Sequence, residues 1–497
     1  MGIVARQSLI TSIISYIGVA IGYINLIFLY PKFLELDQIG LMRAIQDSGM
    51  LLTPFVSLGL NQCISRYYPK FSISKKSLSE LLGLLIMLTG GGLILTTGAL
   101  LLFKQSLIDF FAAHAPDLPH HLGLILWLTL TLTFSGLFEQ LARSKMLIAL
   151  PAFLKEVVVR LMQSILVLLY FTSIIDFSQL LIGSVVVYTL VLIFLMYRLG
   201  LFQGGSIQFK ITSISGRQIK EMLIFALVGF VGLSSVTIIA KLDSLMVTGL
   251  AGLEAAAIYT TTFYMATVIE IPKRAMTQSA GALLAHAFER DDQTEIREIY
   301  YKTALNQFII GSLLLIGLWA NMNNIFNMMP KGDHYREGFL VAIIIGVAKL
   351  TDMSFGPSSE LIGLSKYYWF NLIVISLLAG LSVVSNIMLI PIYGINGAAA
   401  GAFIALLIYN FTKYIFIRIK FNLSPFGINT MKVIPVILLS LLINYLLPKF
   451  DNLYADIVLR SAAITLTFGG LVLLFRCSEE ISQLLRKNVE WLSEKLK

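Results

Sequence analysis

At 497 residues with 57% apolar side chains, the chain carries roughly 280 apolar residues, about twice what one soluble domain buries in a core. Charged residues make up 13% of the chain, and a mean hydropathy of +0.83 reflects apolar runs longer than core helices. A soluble globular protein is excluded, which leaves a polytopic, all-α membrane protein. The net charge of +9 does not signal nucleic acid, because Lys and Arg are scattered over short connecting segments rather than gathered with stacking aromatics. Anionic lipid headgroups are the simpler partner. Two cysteines, Cys63 and Cys477, exclude a disulfide framework.

Taken in chain order, Met1 to Arg6 precede an apolar run from Leu9 to Tyr30 that is too long for a signal-peptide core, so the sequence predicts an uncleaved first span. About fourteen spans follow from hydropathy and punctuation. The first seven are 8–30, 39–64, 79–103, 121–141, 149–172, 177–197 and 221–249. The rest are 254–285, 303–320, 338–355, 367–390, 396–416, 431–447 and 457–476. With these boundaries 21 Lys and Arg fall in the even-numbered loops and the tails, 5 in the odd-numbered loops and 11 inside spans. That bias predicts both termini in the cytoplasm. The longest outer loops, 104–120 and 321–337, leave no room for a sizeable extramembrane domain. The stretch 478–497 sets Ile481, Leu484, Leu485, Val489, Trp491, Leu492 and Leu496 among charges, which reads either as a cytoplasmic amphipathic helix or as a frayed tail.

Charges inside the spans are the chemistry-bearing feature, since each costs at least about 2.5 kcal/mol near the bilayer centre and needs a partner or a watery cavity. Arg43 and Asp47 are four apart in span two, with Gln46 beside them. Glu156 and Arg160 are four apart in span five, next to Lys155. Span seven carries Lys241 and Asp243, span eight Glu270, Lys273 and Arg274, and span ten Lys349 and Asp352. Spacings of three or four allow ion pairs within a helix; a cavity role is the alternative. Arg160 and Lys349 lie deepest, where snorkelling to the headgroups is difficult. Asn25, Gln46, Asn371 and Asn386 are suited either to hydrogen-bonding sugar hydroxyls or to gluing helices together. Gly356 and Pro357 should break or bend the chain after span ten, and Gly397 with Gly401 gives span twelve a small-residue packing face. The five histidines show no metal-ligand spacing, and no phosphate-cradling loop is present, so no metal, cofactor or ATP hydrolysis is expected.

Two segments resemble each other: FLYPKFLELDQIGLMRAIQDSGMLLTPF after span one and SLMVTGLAGLEAAAIYTTTFYMATVIEIPK after span seven. Each sets a short acidic turn before a long helix with a proline, Pro54 and Pro272, which suggests repeated halves. With LIPIYGINGAAAGAFIALLIYN entering span twelve, this layout resembles bacterial polysaccharide-unit flippases of the multidrug/oligosaccharidyl-lipid/polysaccharide exporter superfamily. The arginine-rich early-loop pattern of lipid II flippases is not found.

The resemblance implies two six-helix lobes, 1–200 and 217–420, around a central cavity, with spans 421–477 appended. It also implies alternating access for lipid-linked oligosaccharides in the bacterial inner membrane, with no bond-breaking chemistry and with a monomer as the default state. Polysaccharide polymerase and glycosyltransferases of one pathway would be its partners. For such a substrate, Arg160, Lys349, Arg43 and Lys241 are the expected contacts of an anionic headgroup and Asn25 of a sugar. Asp47, Glu270 and Asp352 are the candidate ion-coupling carboxylates. Two alternatives stand beside this one. A drug/cation antiporter of the same superfamily would want a mainly acidic cavity, and a membrane polysaccharide polymerase or ligase would want a large outer loop.

Overall fold

The computed structural model describes residues 3–481 and 483, and the elements among them are all helical. The predicted tail helix, from 484 onward, lies outside the described residues. Without water to satisfy backbone groups, an apolar run of this length has helix as its natural solution. Each of the fourteen predicted stretches does fall on helix. In order the principal ones are α1 (Ile3–Tyr23), α2 (Leu36–Ser57), α3 (Lys75–Leu102), α4 (Leu122–Ser144), α5 (Val159–Phe171), α6 (Phe177–Arg198) and α7 (Gly216–Ala251). After them come α8 (Ile271–Glu289), α9 (Gln293–Met328) and α10 (Phe339–Ser354). The run Trp369–Phe421 is two helices, α11 before and α12 after a break at Gly394, whose φ of 56° and ψ of −136° are non-helical. Ile428–Leu446 is α13 and Leu453–Leu474 is α14.

Among the described residues eight helices are long and apolar enough to cross a membrane, or nine counting one bent pair. Three of the predicted spans missing from that set carry charge within them: span two holds Arg43 and Asp47, span five Lys155, Glu156 and Arg160, and span eight Glu254, Glu270, Lys273 and Arg274. The helices leave large apolar side chains bare, with Tyr445 84%, Leu466 76% and Ile94 73% exposed. Such faces suit hydrocarbon rather than water, and the chain is a multi-pass membrane protein.

The structure corrects several boundaries. Predicted span two is not continuous: α2 stops at Ser57, Leu58 turns left-handed, and a separate helix resumes at Asn61–Phe71. Span nine is 36 residues long as α9, because the polar residues on both sides of its apolar stretch are helical too, and with the short helices Gly332–Tyr335 and Arg336–Gly338 most of the predicted outer loop 321–337 is helix. Spans one, five and eight are interrupted. A π-helical stretch, Ile24–Leu29, extends α1, another, Leu154–Val158, leads into α5, and Leu253–Thr267 reaches α8 through a 3₁₀ turn, Val268–Glu270. The break after span ten is where expected: α10 and the helix Ser358–Leu364 meet at 42°. Gly356 at φ +63° makes that corner, and a Cβ there would press on Ala304 at 2.7 Å. The small-residue face of span twelve also packs closely, since Cβ atoms on Gly397 and Gly401 would collide with the Leu389 carbonyl and Ser385.

Contacts divide the chain into two compact units, 1–257 and 258–497. In the first, Leu81, Leu85, Phe138, Leu141 and Met222 close a buried core. Glu80, fully buried, ties the connection between α6 and α7 to α3 by accepting from the Thr212 and Ser213 amides at 2.8 and 2.6 Å and the Thr212 hydroxyl at 2.8 Å.

In the second unit, α9 packs against α13 and α14 through Leu305, Ile309, Val433, Ile464 and Phe468. Beyond α14, Glu480 meets Lys302 at 2.9 Å. Burial works against the Glu480 charge, but hydrogen bonds from Lys302, its own amide and Ser478 outweigh it and hold the carboxyl below its ordinary range.

Candidate functional site

In the first unit the glycines of α1 make room for a cation. Arg160 sits at the start of α5, just past the π-helical stretch, and its Nη1 donates to the Gly18 carbonyl. A Cβ on Gly22 would collide with the guanidinium. Its Nη2 meets Glu156 Oε2 at 2.6 Å, the in-helix pair that the spacing of four allows, and both side chains are about 30% exposed. Asn25, on the π-helical stretch of span one, donates to the Arg160 carbonyl at 3.0 Å and accepts from Ser164 at 2.8 Å, which ties the two helices together. Arg43 lies over the Tyr30 ring, 5.8 Å from its centroid. Asp47 pairs not with Arg43, one turn away, but with Lys241 of α7 at 2.7 Å.

In the second unit the in-helix pairs that the sequence offers are likewise replaced by pairs between helices. Glu270 meets Lys349 of α10 at 2.7 Å, and Lys273 meets Asp352. A cleft of about 500 Å³ opens beside them, lined by Glu270, Lys273, Arg274, Thr277, Gln278 and Glu360. Lys349 also lies 5.8 Å from the Phe263 ring centroid.

Lys413 and Arg460 stand three residues from the ends of predicted spans twelve and fourteen, and both are buried. Lys413, 2% exposed, donates to Ser359 Oγ at 2.9 Å and lies 4.0 Å from the Tyr409 ring centroid. Arg460 forms a two-pronged pair with Asp456 at 3.0 and 3.1 Å. Only their residue type in an apolar helix signalled them. A cation held among carboxylates, aromatic rings and hydroxyls is hydrated by protein instead of water, and exchanging one carboxylate for an anionic ligand leaves that solvation intact.

Several solved structures share the fold. One is a lipid II flippase, MurJ, in an inward closed conformation, with a TM-score of 0.73 at 14% identity over 94% of this chain and 98% of that one. Another is an inward-facing multidrug resistance MATE family transporter of the MOP superfamily, with a TM-score of 0.62 at 14% identity over 82% of this chain and 94% of that one. The chain thus has the fold of the MOP-superfamily transporters. A family model described as polysaccharide biosynthesis protein matches residues 4–280, more than half of the sequence. The chain belongs to that family. No curated protein matches it in sequence.

Proposed function

We propose that the protein is a secondary transporter that flips undecaprenyl-diphosphate-linked oligosaccharide units from the cytoplasmic to the outer leaflet of the bacterial inner membrane. Membership of the polysaccharide biosynthesis family carries this reading. Half-buried cations in helices of a transporter fold support it, because a diphosphate crossing hydrocarbon needs charge-assisted hydrogen bonds in place of its water. Arg160, Lys349, Arg43 and Lys241 contact the headgroup, with Asn25 holding the helix of Arg160 in register. Asp47, Glu270 and Asp352 couple ion movement to the cycle. No bond is broken, so the protein is not an enzyme. The lobes are spans one to six (1–200) and seven to twelve (217–420), with 421–477 appended, working as a monomer beside the glycosyltransferases and polymerase of the pathway.

An anion leaving a cell that is negative inside moves downhill by about 2.3 kcal/mol per charge per 100 mV, about 4.6 for two net charges. Protein reconstituted with a purified lipid-linked oligosaccharide is therefore expected to flip it faster under an inside-negative potassium diffusion potential, read as exposure to an external glycosidase. A rate that ignores both potential and ion gradients rejects electrical coupling. No flipping at all, with uptake of a cationic drug instead, selects the antiporter reading that the likeness to MATE transporters also accommodates.

Orientation is tested separately. Single cysteines at Ser74 and Asp117 should label from opposite faces, Ser74 from the cytoplasm. Labelling of both from one side rejects the arrangement.

A further inference from the structure

We propose that Glu270, Lys273, Lys349 and Asp352 form a charge quartet that exchanges partners, and that this exchange lets two broken helices of the second unit move without stranding an ion. The inference rests on the transport reading above only in giving the movement a purpose. The observed pairs are crossed: Glu270 with Lys349 and Lys273 with Asp352. Each member also has an opposite charge three residues away on its own segment. Glu270 closes a 3₁₀ turn at the N-cap of α8, and Lys273 stands three residues on in its first turn, neighbours at helical spacing. Lys349 and Asp352 are three apart on α10, neighbours on one helix face. The in-helix arrangement therefore also makes two ion pairs from the same four groups.

Two alternative pairings of equal number are what a bistable element requires, because breaking a buried pair outright leaves an uncompensated charge. The backbone is interrupted at the same place on both sides. Glu270 is the last residue of the 3₁₀ turn that separates Leu253–Thr267 from α8, and Pro272 stands two residues on. Asp352 lies two residues before the end of α10, where the chain turns by 42° at Gly356. A 3₁₀ stretch within a helix, and a proline beside it, are where helices hinge. Side-chain exposures of 16–23% leave the four groups room to change rotamer beside the cleft at Glu270 and Lys273. Lys413 and Glu360 flank the quartet, acting on Asp352 and Lys273 respectively.

Charge reversal separates a switch from a static clasp. Lys273→Asp with Asp352→Lys preserves both crossed pairs but sets like charges against each other in both in-helix pairs. Glu270→Lys with Lys349→Glu does the same from the other pair, without placing a new cation near Lys413. Reversing all four restores both arrangements. Spin labels on cysteines introduced at the exposed Leu283 of α8 and Leu340 of α10 report the helix separation in lipid nanodiscs; the native cysteines are buried.

The unreversed protein should show two distance populations, each double reversal only one, and the fourfold reversal two again. Each double reversal should also lose at least tenfold in flipping at normal abundance. A double reversal that keeps both populations overturns the proposal, as does a single population in the unreversed protein or in the fourfold variant. So does loss of both double variants from the membrane, since the crossed pairs are kept in them. Two populations that follow this pattern in a protein that flips no lipid-linked sugar would leave the switch standing and remove the proposed substrate.

Discussion

Removing Arg160 and Lys349 together, each as Ala, is expected to abolish flipping in membranes that contain normal amounts of the protein. Each single Ala variant should lose about tenfold or more, equivalent to about 1.4 kcal/mol of headgroup stabilisation. Arg160→Lys and Lys349→Arg should keep most activity, because positive charge is the shared requirement and guanidinium geometry adds to it. Folding should be affected much less. Glu156, the partner that Arg160→Ala strands, is 29% exposed, so solvent takes up much of the loss and about 1 kcal/mol is at stake. Gly22→Ala provides an independent check, since its new Cβ would displace the guanidinium from the notch in α1 without removing the charge. The atom it meets is the far end of a flexible side chain, so the helix pair should survive while transport falls. Normal flipping by the double Ala variant at normal abundance refutes a headgroup role for both cations.

The helices were legible because an apolar run near bilayer thickness has one economical backbone solution. Breaks at Gly356 and Gly394 were legible too, since glycine beside proline or in a short turn punctuates such runs. Interruptions at Ile24–Leu29 and Leu154–Val158 left no such mark: a π-helical stretch needs no special residue, only a neighbour that rewards the offset. Here that neighbourhood is the contact among Gly18, Asn25 and Arg160. The ends of α9 were misplaced for a different reason. Hydropathy marks where hydrocarbon stops, while the helix goes on through polar residues such as Glu295 and Lys302.

That the spans carry charges was readable from the sequence, but the partners of those charges were not. Asp47 and Lys241 are 194 residues apart and meet at 2.7 Å, whereas Asp47 has Arg43 only one turn away. Local spacing identifies the neighbour that is always within reach. The partner actually used depends on how the two helices are rotated against each other, and the spacing of charges along one helix does not carry that rotation.

Arg460→Ala is expected to cause the largest loss of stability, about 2–4 kcal/mol, by stranding a buried carboxylate. Arg460 and Asp456 have side chains 8% and 5% exposed, and the guanidinium does more than neutralise. Its Nη1 donates to the Asn444 carbonyl at 3.1 Å and to the Asn444 side chain at 2.9 Å, and its Nη2 donates to the Pro448 carbonyl at 3.1 Å. These bonds close the turn between α13 and α14, while Asp456 reaches α9 by accepting from Asn324 at 2.5 Å. The alanine variant removes the donors to both carbonyl groups as well as the charge. Asn324 and the Phe450 amide, at 3.2 Å, still serve Asp456, which keeps the loss below that of a fully orphaned ion. Arg460→Ala with Asp456→Asn should recover part of it, because no unpaired charge is then left behind. Thermal unfolding in detergent, followed through a reporter on Cys477, which is buried against the same cluster, reads the difference. An unchanged transition in the single variant would mean that α13 and α14 are held by apolar packing alone.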